Sequence, residues 1–258
     1  MQRYFVPPSA MQSERVVIEG GDAHHIARVM RMSSGMRIIV CDGEGRVWEV
    51  ELLAVRADRV VGRRVAEREE TAEPPIPIVL VQALLKGDKM DWLVQKATEL
   101  GVTALYPFVA ERSVARLDGA SDKAAHRQSR WQAIAKEAAE QSGRSRMPTI
   151  ARPIGVGDVE AVLGPALRGH RVFIADEALA CRGDAPSLFM CLERIRADAA
   201  NVPVPPIAVI IGPEGGFTDA ERERFAALGA EPVGLGRRIL RAETAALFAL
   251  SLITATAD

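Results

Sequence analysis

Ile210-Ile211-Gly212-Pro213-Glu214-Gly215-Gly216-Phe217-Thr218 and, further along, Leu235-Gly236-Arg237-Arg238-Ile239-Leu240-Arg241-Ala242-Glu243-Thr244-Ala245 each pass from an apolar strand pattern through glycines into a helix pattern. Strand, turn and helix in alternation build a mostly parallel α/β sheet. Glycines at strand ends let the backbone approach a small molecule, because a residue without Cβ removes a steric barrier and accepts φ > 0. The two stretches are therefore expected at the ends of adjacent strands, as walls of a ligand pocket. Thr218-Asp219-Ala220-Glu221 fits a capping box at the entrance to the next helix. Residues 243–255, rich in Ala and Leu, predict a final helix that is buried or lies at an interface.

Working back from these motifs, the same alternation extends to residue 76. Residues 76–85 form a continuous apolar run, as in a strand covered on both faces. A helix follows in which Met90, Leu93, Val94, Ala97 and Leu100 make one stripe, with Lys89, Gln95, Lys96 and Glu99 opposite and Gly101 as the stop. Further strands are expected at 102–109, 171–175, 207–211 and 232–235, with helices between. The first seventy or so residues differ in period. Arg37-Ile38-Ile39-Val40-Cys41, the turn Asp42-Gly43-Glu44-Gly45 and the alternating 46–52 read as a hairpin; 59–65 adds a strand and 22–31 a short helix. The sum is a small β-barrel. Charge and prolines over 67–75 disfavour both helix and central strand, which places a domain boundary there: residues 1–72, then 73–258.

Composition limits the classes of function. With 48% hydrophobic residues in 258, the chain has the makeup of a globular protein. No apolar run reaches membrane-spanning length and Met1-Gln2-Arg3-Tyr4-Phe5-Val6-Pro7-Pro8 has no signal-peptide pattern, so no membrane partner and a cytoplasmic location are expected. The three cysteines, Cys41, Cys181 and Cys191, form no Cys-x-x-Cys pair and have no histidine at ligand spacing, so no metal is expected. Cys181 and Cys191 receive no role. A net charge of -1 conceals an uneven distribution: residues 111–152 carry nine basic residues against five acidic, and 201–235 five acidic against two basic. A balanced total can hide a basic face, although ordinary surface scatter gives the same arithmetic.

Three nucleotide ligands can be weighed against the glycine turns. A P-loop needs a lysine after its last glycine to meet the β/γ-phosphates, and neither turn supplies one. Gly234-Leu235-Gly236 begins like a dinucleotide fingerprint but lacks the third glycine and a following βαβ unit. S-adenosyl-L-methionine, whose reactive centre is a sulfonium cation, suits a pocket that presents carbonyls, apolar walls and a carboxylate and keeps lysine away, as the Gly212-Pro213-Glu214-Gly215-Gly216 turn offers. The competing reading is that both clusters are tight turns that cap helices.

The two motifs resemble the paired cofactor motifs of the RsmE-type ribosomal RNA small-subunit methyltransferases. The similarity extends, in family order, through Arg3-Tyr4-Phe5-Val6, His24-His25-Ile26-Ala27-Arg28-Val29-Met30-Arg31, Leu85-Lys86-Gly87-Asp88-Lys89-Met90, Gln95-Lys96-Ala97-Thr98-Glu99-Leu100-Gly101-Val102, Glu111-Arg112-Ser113, and Arg130-Trp131 to Glu137-Ala138-Ala139-Glu140-Gln141-Ser142-Gly143-Arg144. Departures are slight: Met30 stands where leucine is usual, and Arg237 and Ala242 fill variable places. The resemblance implies an N-terminal PUA-like β-barrel and a C-terminal SPOUT α/β domain with a trefoil knot, a homodimer, and S-adenosyl-L-methionine as cofactor. The implied reaction is methylation of N3 of a uridine in 16S rRNA, on the assembled small ribosomal subunit. A non-catalytic ribosome-assembly factor and a SPOUT enzyme acting on another RNA are the alternatives.

On this reading Ile211, Gly212, Pro213, Glu214, Gly215, Gly216, Leu235, Gly236, Ile239, Leu240, Arg241, Thr244 and Ala245 hold the cofactor. Arg241 is expected to stabilise charge on the reacting base, with Glu214 and Glu243 as candidate general bases. A structural Arg241–Glu243 ion pair is the competing role. Expected RNA contacts are Arg3, Arg28 and Arg31 in the barrel and Lys86, Lys89, Arg112, Arg130, Lys136, Arg144 and Arg146 beyond it. His24 and His25 are read as helix-start or RNA-contact residues, and Trp131 as core.

Overall fold

A computed structural model of the chain describes residues 1–12, 14–69, 72–113, 121–182, 185–199 and 203–257. Glu70 and Thr71 of the proline-rich stretch, and the Cys181 side chain, lie outside the described residues. The chain divides into two compact units, Met1–Glu73 with Lys136–Met147, and Pro74–Ala135 with Pro148–Asp258.

In the first unit the two-residue period of the sequence builds six strands: β1 (Arg3–Phe5), β2 (Met11–Gln12), β3 (Arg15–Glu19), β4 (Arg37–Cys41), β5 (Val47–Val55) and β6 (Arg59–Arg68). They pair in the order β1-β4-β5-β6-β3-β2. The Asp42 carboxylate fixes the β4–β5 turn by accepting from the Glu44 and Arg46 amides and from the Arg46 guanidinium, 2.7 Å away. Tyr4 from one end of the ladder and Val16 from near the other share a single core with Trp48, Val50 and Leu52. Strands so far apart can meet only if the sheet curls. The helix expected over 22–31 starts earlier and changes type: α1 (Gly20–His24) gives way to a π-turn over His25–Val29, closed by Met30 N–H on the His25 carbonyl at 2.9 Å. His25 Nδ1 lies 2.9 Å from the Tyr4 hydroxyl, and His24 is exposed.

The segment Lys136–Met147 completes this unit. Phe5 N–H donates to the Glu140 carboxylate at 3.1 Å, and Lys136 pairs with Asp22 at 2.5 Å. Arg144 is 1% exposed; its guanidinium meets the Glu73 carboxylate at 2.8 Å, which also accepts the Ser145 and Arg146 amides at 2.8 Å each. Burial raises the Glu73 carboxyl, but Arg144 and those amides outweigh it and hold the group below its ordinary value.

The second unit alternates strand and helix: β7 (Ile78–Ala83), α2 (Lys89–Glu99), β8 (Ala104–Val109), α3 (Ser121–Gln141, shared with the first unit), β9 (Thr149–Ile150), β10 (Ile154–Gly155), α4 (Val159–Ala166), β11 (Arg171–Ala175), α5 (Glu177–Arg182), α6 (Leu188–Asp198), β12 (Ile207–Ile211), α7 (Asp219–Ala227), β13 (Glu231–Val233) and α8 (Ala242–Ala257). All pairings are parallel, in the order β10-β8-β7-β12-β11-β13, with β9 on β8. The apolar runs of β7 and β12 send alternate residues to opposite faces. Ile78, Leu80, Ile207 and Val209 pack with α2, α6 and α8, while Val79, Val81, Ala208 and Ile210 pack with α4 and α7. Trp131 is 4% exposed in the first of these cores, in keeping with its expected packing role. The strands that carry the two glycine motifs are not neighbours as expected: β11 lies between β12 and β13.

Removing one partner of a buried ion pair leaves an uncompensated charge, which costs about 3–5 kcal/mol. Arg144→Met should therefore lower the unfolding free energy by that amount in a denaturant titration. Because the folded Glu73 carboxyl sits below its ordinary 4.5, its contribution is complete above that pH and disappears as pH falls through the lower folded value. Glu73→Gln should remove this part of the acid-induced decline.

Candidate active site

Parallel register brings three strand ends to one row: Ile211 pairs with Ala175, and Ala175 with Val233. The loops that leave these residues enclose a cavity of about 530 Å³ over the carboxyl ends of β12, β11 and β13. Ligands in open α/β sheets bind at this edge, and small-molecule sites span roughly 300–1,000 Å³.

The loop after β12 is braced from several sides. Thr218 and Glu221 make the expected capping box, and Glu221, fully buried, also accepts Glu111 N–H at 2.9 Å from the turn after β8. Arg112 in that turn donates to the Gly215 carbonyl at 3.1 Å. A Cβ on Gly212 would come within 2.8 Å of the Phe217 ring, and one on Gly215 within 2.9 Å of the Arg112 Cβ. These two glycines serve packing within the protein. Gly216 and Gly236 differ, with φ of +68° and +109° and no atom within 4 Å of a Cβ position. They leave open space at the cavity, as a cradle for a ligand requires.

Of the expected cofactor residues, Ile211, Gly212, Pro213, Glu214, Gly215, Gly216, Leu235, Gly236, Ile239, Leu240, Arg241 and Ala245 all line the cavity. Thr244 does not. Ala242 and Ala245, three apart in the first turn of α8, face inward, which turns Thr244 to the exposed side. Asp176 and Arg222, outside the two glycine motifs, also line the cavity. Asp176, 3% exposed, accepts the Ala178 amide at 3.0 Å and the Arg222 guanidinium at 2.5 Å. The available signal was an acidic residue directly after a predicted strand, at the edge where parallel sheets bind ligands.

The carboxylates proposed as bases meet a lysine. Lys89, at the first turn of α2, lies 2.9 Å from Glu243 and 3.8 Å from Glu214. Burial raises the Glu243 carboxyl, but the Lys89 hydrogen bond, the residue's own amide and the charges of Lys89 and Arg241 hold it below the usual range. Glu243 does not line the cavity, and the Arg241–Glu243 ion pair weighed above is replaced by one with Lys89. Among the described residues Arg241, which is exposed on the cavity wall, makes no ion pair.

The expected RNA contacts separate in the same way. Arg28 and Arg31 are exposed at the π-turn of the first unit; Lys86 is exposed after β7. Arg146 is exposed too, with its guanidinium against Gly45. Arg144 is a correction: it is buried on Glu73 and out of reach of a phosphate. Arg3 donates to Cys41 Sγ and to the Arg144 carbonyl, Lys136 is held by Asp22, Arg130 pairs with Asp91, and Lys89 and Arg112 serve the loops above. Cys41 is buried and Cys191 half-buried. Among the described residues no group of three or more His, Cys, Asp or Glu could hold a metal, and no helix is long and apolar enough to cross a membrane.

An RNA methyltransferase domain family matches residues 72–254, and an RNA methyltransferase PUA domain family residues 18–63. The ribosomal RNA small subunit methyltransferase E of Bacillus subtilis (strain 168) is 38% identical over 257 residues, which covers 98% of this chain and 96% of that protein. A crystal structure of a ribosomal RNA small subunit methyltransferase E from Neisseria gonorrhoeae bound to S-adenosyl methionine superposes with a TM-score of 0.77 at 32% identity, covering 97% and 96% of the two chains. A putative methyltransferase from Legionella pneumophila, in complex with the same cofactor, gives 0.79 at 29% identity over 98% and 96%. The chain belongs to the ribosomal RNA small subunit methyltransferase E family, with an RNA methyltransferase domain and a PUA domain.

Proposed function

We propose that this protein transfers the methyl group of S-adenosyl-L-methionine to N3 of a uridine in 16S rRNA of the small ribosomal subunit, in the cytoplasm. The observation that carries the proposal is the cavity at the strand ends, built from both glycine loops in a chain of this family. Its backbone-rich, partly apolar wall and the open space beside Gly216 and Gly236 fit such a cofactor. When bound, the sulfonium supplies an electrophilic methyl group.

The protein's own residues act on the base. Uridine N3 carries an imide proton and becomes nucleophilic when that proton leaves, with the charge spread over O2 and O4. The Arg241 guanidinium, on the cavity wall and outside any ion pair among the described residues, is suited to stabilise that anion. Glu243, kept ionised by Lys89, is a weak proton acceptor, which leaves Glu214 or solvent for the proton. Residues 1–72 would act as the RNA-binding barrel and 73–258 as the SPOUT methyltransferase domain, its last segments threaded into a trefoil knot. Exposed Phe189 and Met190 on α6 and Phe248 on α8 give apolar surface for a homodimer.

Arg241→Ala should reduce methylation of unmodified small subunits by about a hundredfold, the scale of losing one oriented charge donor, with little change in cofactor affinity. Methylation at the normal rate would remove Arg241 from the mechanism. At Gly236, valine can neither adopt φ near +109° nor leave the cavity open, so calorimetry on Gly236→Val should detect no cofactor binding. If Arg28 and Arg31 each neutralise a phosphate, alanine at either should flatten the plot of log affinity against log salt by about 0.7–0.9. An unchanged slope would move the RNA away from the π-turn.

A further inference from the structure

Lys89 is a cation shared by the two glycine motifs. Its ammonium reaches Glu214, in the loop after β12, and Glu243, in the first turn of α8. Glu243 is the tighter partner at 2.9 Å and has a side chain only 14% exposed. Its second oxygen, Oε2, is buried with no hydrogen-bond partner among the described residues. A carboxylate withdrawn this far from water needs a cation, since an unpaired charge in such a place is costly. Arg241 is the alternative supplier, two residues away and already within electrostatic reach of the Glu243 carboxyl. Yet among the described residues Arg241 makes no ion pair, while its neighbour Glu243 is bound to a lysine from a different helix.

We infer that Lys89 is a positioning residue: by serving as counter-ion to Glu243 and Glu214, it keeps the Arg241 guanidinium uncommitted on the cavity wall and available to the substrate anion. The inference rests on the role proposed for Arg241 above. It replaces the phosphate-binding role expected for Lys89 and the general-base role expected for Glu243. Lys89 does not touch the substrate; it acts through the carboxylates that would otherwise draw Arg241 away. Without Lys89 the Arg241 guanidinium is the cation drawn onto Glu243, and it is lost to the substrate anion. Without Glu243 as well, most of that pull is gone.

This reasoning predicts a sign that a structural brace would not give. Full-length protein is assayed for single-turnover methyl transfer from S-adenosyl-L-methionine to small subunits lacking the modification, with cofactor affinity by calorimetry and a melting curve for each variant. Lys89→Met should lower the transfer rate by at least about tenfold. Lys89→Arg, which keeps the cation, should restore most of it. The Lys89→Met/Glu243→Gln double variant should be faster than Lys89→Met alone, because the carboxylate that captures Arg241 is gone. A brace linking the two loops predicts the reverse, since the double variant has lost both of its ends. The inference is overturned if Lys89→Met transfers at the wild-type rate, if the double variant is no faster than the single one, or if the loss in Lys89→Met is matched by loss of cofactor binding or of the folded state. Mapping the methylated nucleoside in the wild-type reaction is a separate test: modification at an atom other than uridine N3 refutes the proposed substrate, whatever the ranking of the variants.

Discussion

Parallel pairing of β12, β11 and β13 is the constraint on which the site depends. It sets Ile211, Ala175 and Val233 in one row, so three loops leave the sheet at the same height and are forced to share the space above it. Covering helices on both faces make that edge the natural opening, because the strands themselves are sealed in apolar side chains. The loop after β12 is then held by contacts that have no need of a ligand: the capping box, Glu111 on Glu221, and Arg112 on the Gly215 carbonyl. A cavity whose walls are fixed beforehand loses little ordering entropy when it is filled.

Charges in this protein are sorted by burial. Glu73 takes Arg144, Asp176 takes Arg222, Glu243 takes Lys89, and Glu221 is satisfied by amides and its own cap. Each of these carboxylates is largely withdrawn from water, and each binds a donor closely enough to withhold it from other work. Of the basic residues expected at RNA or at the reacting base, Arg28, Arg31 and Arg146 in one unit and Lys86 and Arg241 in the other are exposed and have no ion pair among the described residues, a smaller set than a count of basic residues suggests. The basic excess over residues 111–152 includes Arg130, Lys136 and Arg144, all of which have acidic partners within the protein.

Much of the fold was legible because it is written in local periods. The strand spans at 171–175 and 207–211, the apolar stripe of α2 and the capping box at Thr218 rest on neighbours within a few residues, and they match the observed elements. The two glycine loops that line the cavity were legible for the same reason, since their glycines and flanking elements are contiguous in sequence. What the residues did not reveal is non-local. The order of β12, β11 and β13 depends on pairing across long separations, so the place of β11 between the two motif strands, which brings Asp176 to the cavity, is not legible in the sequence. Thr244 was carried over by motif and only the helix phase turns it away. Arg144 looked like any surface arginine because Glu73, the partner that buries it, lies far off in sequence.

That distance has a consequence during synthesis. Since Lys136–Met147 belongs to the first unit, the barrel emerging from a ribosome lacks a part of itself until well into the second unit's sequence. Glu73 waits for Arg144, Asp22 for Lys136 and the Phe5 amide for Glu140. The nascent N-terminal unit therefore cannot finish folding in the order in which it is made, and a fragment cut at the apparent linker would carry an unmatched carboxylate and an open edge in place of an autonomous domain.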